Sequence, residues 1–342
     1  MRPSDERRHQ PGPQAGWEES WFLEFVAADG ALGGFVRLAL RPARRRAWYW
    51  AYLVGARRPV VVVRDHEVEV PRGPDLEVRA AGLWAQVICE TPFEHWSTGL
   101  EAFAVAMDGA DTGTADDRAA PAGEERGDPV PLGLDLEWEM TGRPAGPPEA
   151  DGVGGYLQPA AVSGDVLVGS ERLALEGTGW YGHHWGPPPW ARAGGWASAA
   201  AHLPDGAVSA SWSGSGPPGN GSWSGSGWPG SGSPGKGSPE SRSSANGSSG
   251  RGWWWAPGTA GQSAVGVATS IEGPDHSGVT RLVVDGTVHA LVPTARVAVP
   301  VDGGPPLVRS LCPLPGGGGW VEWRRADDAH GAPSEASRGP GG

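Results

Sequence analysis

Leu132-Gly-Leu-Asp-Leu-Glu-Trp-Glu-Met140 alternates apolar with polar or small side chains at every one of nine positions. A strict period of two belongs to a half-buried strand, whose successive side chains face opposite sides of a sheet. The same period recurs upstream. Val36, Leu38 and Leu40 alternate with Arg37 and Ala39, Trp48, Trp50 and Tyr52 share one face, and Glu101, Phe103, Val105 and Met107 share another. Turn signals separate these runs at Asp29-Gly30, Gly33-Gly34, Arg72-Gly73-Pro74 and Asp108-Gly109. No stretch holds a helical period beyond about two turns. Many short strands joined by tight turns predict an all-β chain that closes into barrels or folds into sandwiches.

With 342 residues the chain is long enough for two such units. Composition suggests where they divide. Residues 1–16 are charged and rich in Pro and Gly, which predicts a disordered N-terminus without the apolar run of a signal peptide. A first β-barrel is expected over 17–142, a Pro/Gly linker over 143–155, and a second barrel over 156–325. The segment from 211 to 250 holds 14 Ser, 12 Gly and 5 Pro, and no Val, Ile, Leu or Phe. It cannot bury enough apolar surface to offset an ordering entropy of about 1–2 kcal/mol per residue, so a disordered insert is expected over 205–262. Residues 326–342 read as a disordered tail.

Charge and cysteine usage exclude several classes. A formal charge of -12 repels a phosphate backbone, and Arg44 to Arg46 with Arg57 and Arg58 sit at strand ends rather than in a basic tract, so nucleic acid is not a partner. Cys89 and Cys312 are isolated, which excludes a disulfide scaffold and a zinc knuckle. The most apolar region, 47–63, is broken by Arg57 and Arg58 and is shorter than a membrane span. These features read as a soluble, cytoplasmic chain. No cofactor is expected either: Gly152-Val-Gly-Gly155 lacks the strand-to-helix setting of a dinucleotide fingerprint.

The chemistry concentrates in Gly177-Thr-Gly-Trp-Tyr-Gly-His-His-Trp-Gly-Pro-Pro-Pro-Trp190, with two histidines, a tyrosine and three tryptophans. Indole gives a large apolar face with one donor, and imidazole titrates near neutrality, so the segment suits the wall of a pocket for a bulky hydrocarbon. Strand alternation lets only one of His183 and His184 point inward. No further metal ligand stands at a recognisable spacing from them, His202 and His276 included, so no metal centre is read. Glu90, Glu94 and His95 are flanked by Phe93 and Trp96 and form the acid cluster best placed for desolvation, which raises a carboxyl pKa toward the range of a general acid. Asp65 and His66 form a second such cluster. Trp48, Trp50, Trp96, Trp138, Trp180, Tyr181, His184 and Trp185 are the expected ligand-binding residues.

Several separated segments carry a resemblance. Glu19-Ser-Trp-Phe-Leu-Glu-Phe25, Arg46-Ala-Trp-Tyr-Trp50, Asp65-His-Glu67, Cys89-Glu-Thr-Pro-Phe-Glu-His-Trp96, Gly133-Leu-Asp-Leu-Glu-Trp138, Gly179 to Gly186, Leu311-Cys-Pro and Gly319-Trp-Val-Glu-Trp323 resemble actinobacterial lipocalin-like proteins. That branch is similar to the hydroxyneurosporene synthase (carotenoid 1,2-hydratase) and AttH group. The resemblance covers roughly 17–205 and 264–325, and it implies two calycin-type antiparallel barrels in tandem. Relatives commonly read Asp-His-x-Trp-Gly where this chain has Gly182-His-His-Trp-Gly186. Three functional readings follow. The first is binding of an isoprenoid, steroid or fatty-acyl ligand without turnover. The second is a hydratase, isomerase or cyclase acting on an isoprenoid alkene, with Glu90 or Glu94 as acid and His183 positioning water. The third is a degenerate copy without function.

Overall fold

The computed structural model describes residues 1–107, 127–147, 149–191, 195–214, 249–255, 265–272, 279–302 and 305–324. Among these, the regular structure is strand apart from three 3-10 turns, at Pro3–Glu6, Pro42–Arg44 and Pro189–Ala191. No helix in this set is long and apolar enough to cross a membrane.

The first sheet comprises β1 (Glu18–Ala27), β2 (Leu32–Arg41), β3 (Arg46–Gly55), β4 (Val60–Glu69), β5 (Leu76–Ala80), β6 (Leu83–Thr91), β7 (His95–Met107), β8 (Asp128–Met140), β9 (Gly154–Val168) and β10 (Glu171–Gly186). Its order is β4-β3-β2-β1-β10-β9-β8-β7-β6-β5, and the far end of β7 pairs back onto β4 through Val60↔Met107 and Val62↔Val105. This pairing closes eight strands into an antiparallel barrel, with the β5–β6 hairpin continuing along the rest of β7. Closure removes the exposed sheet edges that invite aggregation.

The second sheet comprises β11 (Gly195–Leu203), β12 (Gly206–Gly214), β13 (Ser249–Trp255), β14 (Val265–Glu272), β15 (Thr280–Val284), β16 (Thr287–Leu291), β17 (Ala295–Val299), β18 (Leu307–Leu314) and β19 (Gly317–Arg324). It runs β16-β15-β14-β13-β12-β11-β19-β18-β17, antiparallel throughout. The all-β, two-sheet architecture read from the alternation is therefore the one observed.

The two sheets divide elsewhere than at the expected linker. Strands β9 and β10 pair with β8 and β1, so 143–155 lies between neighbours of one sheet. The chain passes from the first sheet to the second between Gly186 and Gly195. A barrel needs its last strand to return to its first, and β10 does so along ten residues of β1, from Glu18↔Gly186 to Ala27↔Gly177.

Two disorder expectations are corrected. Residues 1–16 carry a 3-10 turn and a buried Glu6 whose carboxylate takes hydrogen bonds from Tyr181 and the Phe93 amide, while most of their other side chains are exposed. Within 205–262, β12 and β13 are paired, Ala207↔Trp255 to Ser211↔Arg251. Composition there is diluted by Gly and Ser, but backbone pairing with β12 and the indoles of Trp253 to Trp255 suffice to order β13. The rest of that insert, 215–248 and 256–262, lies outside the described residues, as does the tail at 326–342.

Three apolar layers result. One fills the first barrel with residues such as Trp21, Leu23, Leu38, Leu136 and Trp138. A second lies inside the second sheet, around Val208, Leu282, Val308 and Val321. The third is sandwiched between the sheets, where Phe35, Trp48, Trp50 and Tyr52 meet Trp196, Leu307, Leu311 and Trp320. Strands β2 and β3 are consequently buried on both faces, apart from Arg46 at one end.

Candidate functional site

Side-chain parity on the shared strands builds the site. On β1, Trp21, Leu23 and Phe25 enter the barrel, so Ser20, Phe22 and Glu24 face the second sheet. On β10, Tyr181 and Trp185 enter the barrel, and Gly182 and His184 face outward. From the opposite side, β11 presents Trp196, Ser198 and Ala200, and β19 presents Trp320 and Glu322. These surfaces line a half-open cavity of about 200 Å³. Trp50, Trp190 and Trp253 complete the aromatic lining.

A row of buried ions forms one wall. Arg309 on β18 donates from Nη2 to Glu24 Oε2 and lies 3.1 Å, through Nε, from Glu322 Oε2. Its guanidinium carbon sits 4.2 Å from the ring centre of Phe35 and 4.9 Å from that of Trp320. Arg37 on β2 donates to Glu18 and lies between Trp50 at 4.9 Å and Trp190 at 4.5 Å. Guanidinium planes stack favourably on indoles, which fixes both rings and both charges. Burial pushes the Glu24 carboxyl up to about 7 even though Arg309 opposes the shift. A protonatable acid thus stands beside two arginines and a second carboxylate in the wall of a cavity rich in aromatic rings.

A second polar cluster occupies the barrel beneath the N-terminal segment. His183 is fully buried, with Nδ1 2.9 Å from Asp5 O and Nε2 3.0 Å from Glu19 Oε1. A carbonyl only accepts, so Nδ1 carries a proton. His9 stacks on Trp185 with centroids 3.9 Å apart, and its Nδ1 lies 2.8 Å from the same Glu19 oxygen. Burial alone would raise the Glu19 carboxyl, but hydrogen bonds from His183 and His9 hold it below its ordinary value. Beside them Glu6 accepts from Tyr181 Oη at 3.0 Å and from the Phe93 amide at 3.0 Å. Burial raises the Glu6 carboxyl despite those bonds.

The expected residues are dispersed among these places. Trp50 and His184 line the cavity, and His183 borders it by position while its ring packs on Trp21 at 4.6 Å within the barrel. Trp96 stacks on Tyr181 and Trp138 donates to Glu24 O at 3.1 Å, both inside the barrel. Trp185 lies in the barrel under His9, and Trp180 packs against Trp255 outside it. Trp48 stacks on His66 at 4.0 Å, and His66 accepts from Trp50 Nε1 at 2.8 Å. Burial and the nearby Arg64 push His66 down to about 4. Asp65 caps the Glu67 amide.

The expected acid cluster is at the surface. Glu90 accepts from Ser97, Glu94 is exposed at the β6–β7 turn, and His95 pairs with Glu137 at 2.9 Å. None of the three lines the cavity. Apolar neighbours in sequence do not desolvate a carboxylate on a turn, because Trp96 points into the barrel and away from them. Glu24, Arg37, Arg309 and Glu322 were missed by a search for chemistry, since no motif spacing links these four residues along the sequence.

The fold and cavity define a two-sheet antiparallel β-protein with an aromatic-rich chamber between its sheets. The chain belongs to the DUF7064 family, a domain of unknown function, which residues 2–230 match. No curated protein sequence matches it. Among solved structures it is similar to a Nitrosomonas europaea protein designated AttH, with 13% identity and a TM-score of 0.42 over 91% of this chain and 93% of that one. It is also similar to CghA, alone and with Sch210972, at 12% identity and a TM-score of 0.41 over 92% of this chain and 90% of CghA.

Proposed function

We propose that the protein binds a small hydrophobic molecule, of isoprenoid, steroid or fatty-acyl type, in the chamber between its two sheets. The observation that carries this reading is a half-open cavity of about 200 Å³ lined by the indoles of Trp50, Trp190, Trp196, Trp253 and Trp320. Sites that engulf drug-sized ligands run to about 300–1,000 Å³. The chamber therefore suits a short isoprenoid or one end of a longer chain, rather than an entire carotenoid. A ligand burying about 300 Å² of apolar surface gains roughly 7 kcal/mol, against which the costs of association are set.

One observation favours a second reading, acid-catalysed chemistry on the bound alkene. Glu24, with its carboxyl near 7, lies on the chamber wall beside the cation-tolerant faces of Phe22 and the indoles. Incubating purified protein with a lipid extract and recovering the bound fraction for mass spectrometry separates the two. An unchanged lipid, with quenched tryptophan emission, is expected for binding. A product heavier by one water, lost in Glu24→Gln, supports chemistry. No bound lipid and unchanged emission across the extract would overturn both.

A further inference from the structure

We propose that His9, Glu19 and His183 form a binding site for a divalent transition metal of the zinc class, closed by the N-terminal segment. The three side chains come from that segment, β1 and β10, and their donor atoms all lie within 4.8 Å of one another. Two imidazoles and a carboxylate form a ligand set well matched to zinc and its first-row neighbours, and three protein ligands leave a position for water.

The orientation of His183 supports the assignment. A ligating histidine typically gives its second ring N–H to a carbonyl or carboxylate, which fixes the tautomer and aims the other nitrogen at the metal. Here Nδ1–H is given to Asp5 O, and Nε2 is aimed at the Glu19 oxygen that His9 Nδ1 also faces. A metal ion held between Nε2 and Glu19 would set a positive charge against that buried carboxylate. The rings are already held, His183 by Trp21 and His9 by Trp185.

Access is one-sided. The side chains of His183 and Glu19 are 0% and 2% exposed, and that of His9 is 20% exposed, so an ion enters from the side of the segment. The site is separate from the aromatic chamber, because the His183 ring points into the barrel. No motif spacing announces it, since His9 precedes Glu19 by ten residues and His183 follows by 164.

The test uses the tag-free full chain, stripped with chelator, and ZnCl₂ or CoCl₂ as probes. Calorimetry is expected to show one equivalent of Zn²⁺ bound in the micromolar range or tighter. Co²⁺ is expected to give visible d–d absorption. His9→Ala and Glu19→Gln should each weaken Zn²⁺ binding by about tenfold or more. His9→Ala changes a partly exposed side chain, so its circular dichroism should match that of the native chain. Bound Zn²⁺ should also slow tryptic cleavage after Arg7 and Arg8. Absence of binding, or binding unchanged in both variants, would overturn the proposal.

Discussion

Arg309 and Glu24, 285 residues apart in sequence, join the two sheets through a hydrogen-bonded ion pair in which each side chain is 3% exposed. The pair is costly to assemble, because two charges leave water, and more costly to break, because the surviving charge stays buried. Arg309 also holds Glu322, so its removal orphans two carboxylates. Arg309→Met is expected to lower the unfolding free energy by about 3–5 kcal/mol in urea titration. Glu24→Gln, which keeps an acceptor for Arg309, should cost less. A loss under about 1 kcal/mol in Arg309→Met would mean that the carboxylates reach solvent.

His202 makes stability depend on acidity. It lies partly buried behind β10, donates from Nε2 to Gly179 O at 2.8 Å, and loss of solvent around the ring pushes its pKa from 6.5 down to about 4. Between those values the unfolded chain takes up a proton that the folded chain refuses. The stabilisation from a neutral His202 is thus complete above pH 6.5 and fades as pH falls toward 4. His66 behaves similarly, so the cleanest measurement is the difference between native protein and His202→Gln. That difference should be flat above pH 7 and should shift by about 3 kcal/mol in favour of the variant by pH 4. A difference independent of pH would mean that His202 is protonated in the fold.

The architecture was legible because backbone pairing imposes a period of two wherever one face is wet. Leu132 to Met140 forms the end of β8 with Leu132, Leu134, Leu136 and Trp138 buried and Asp135, Glu137 and Glu139 exposed or nearly so. The site was less legible for the same reason. On β1 and β2 both faces are buried, one in the barrel and one against the second sheet, so Glu24 and Arg37 occupy positions that alternation assigns to solvent. Burying an ion there is feasible only because each has a partner, Arg309 of the second sheet for Glu24 and Glu18 on the neighbouring β1 for Arg37, and neither pair has a motif spacing. Residues 1–16 failed for a related reason. Their composition is that of a solvated tail, yet Glu6 and His9 find buried hydrogen-bond partners on β1 and β10 and at the β6–β7 turn.

Gly182 tests whether the chamber wall tolerates the carboxylate that the resembling proteins carry at this position. A Cβ here would come 2.7 Å from Leu157 Cδ2, the mobile end of a partly buried side chain, and 3.6 Å from Tyr156 O. Gly182→Asp should therefore fold, with an overpacking cost of about 1–3 kcal/mol that Leu157 partly relieves. The new carboxylate faces the chamber beside His184. Affinity for an apolar ligand, followed by tryptophan quenching, should fall by about tenfold or more, because solvating the acid competes with burying the ligand. Equal affinity in the variant would place the ligand away from this wall.

Glu6 ties the N-terminal segment to the barrel, and its loss should release that segment. Its two oxygens satisfy the Tyr181 hydroxyl and the amide of Phe93, a residue held at φ +62, where side chains other than glycine are rare. Glu6→Ala leaves both donors buried and unpaired and should cost about 1–3 kcal/mol, whereas Glu6→Gln keeps an acceptor and should cost less. Removing residues 1–10 goes further. It strips His9 from the face of Trp185, an indole now only 4% exposed. Tryptophan emission should then shift to the red and become quenchable by iodide, to a greater extent than in Glu6→Gln. If emission and quenching stay as in the full chain, the segment does not cover the barrel in solution, and the polar cluster around His183 faces water instead.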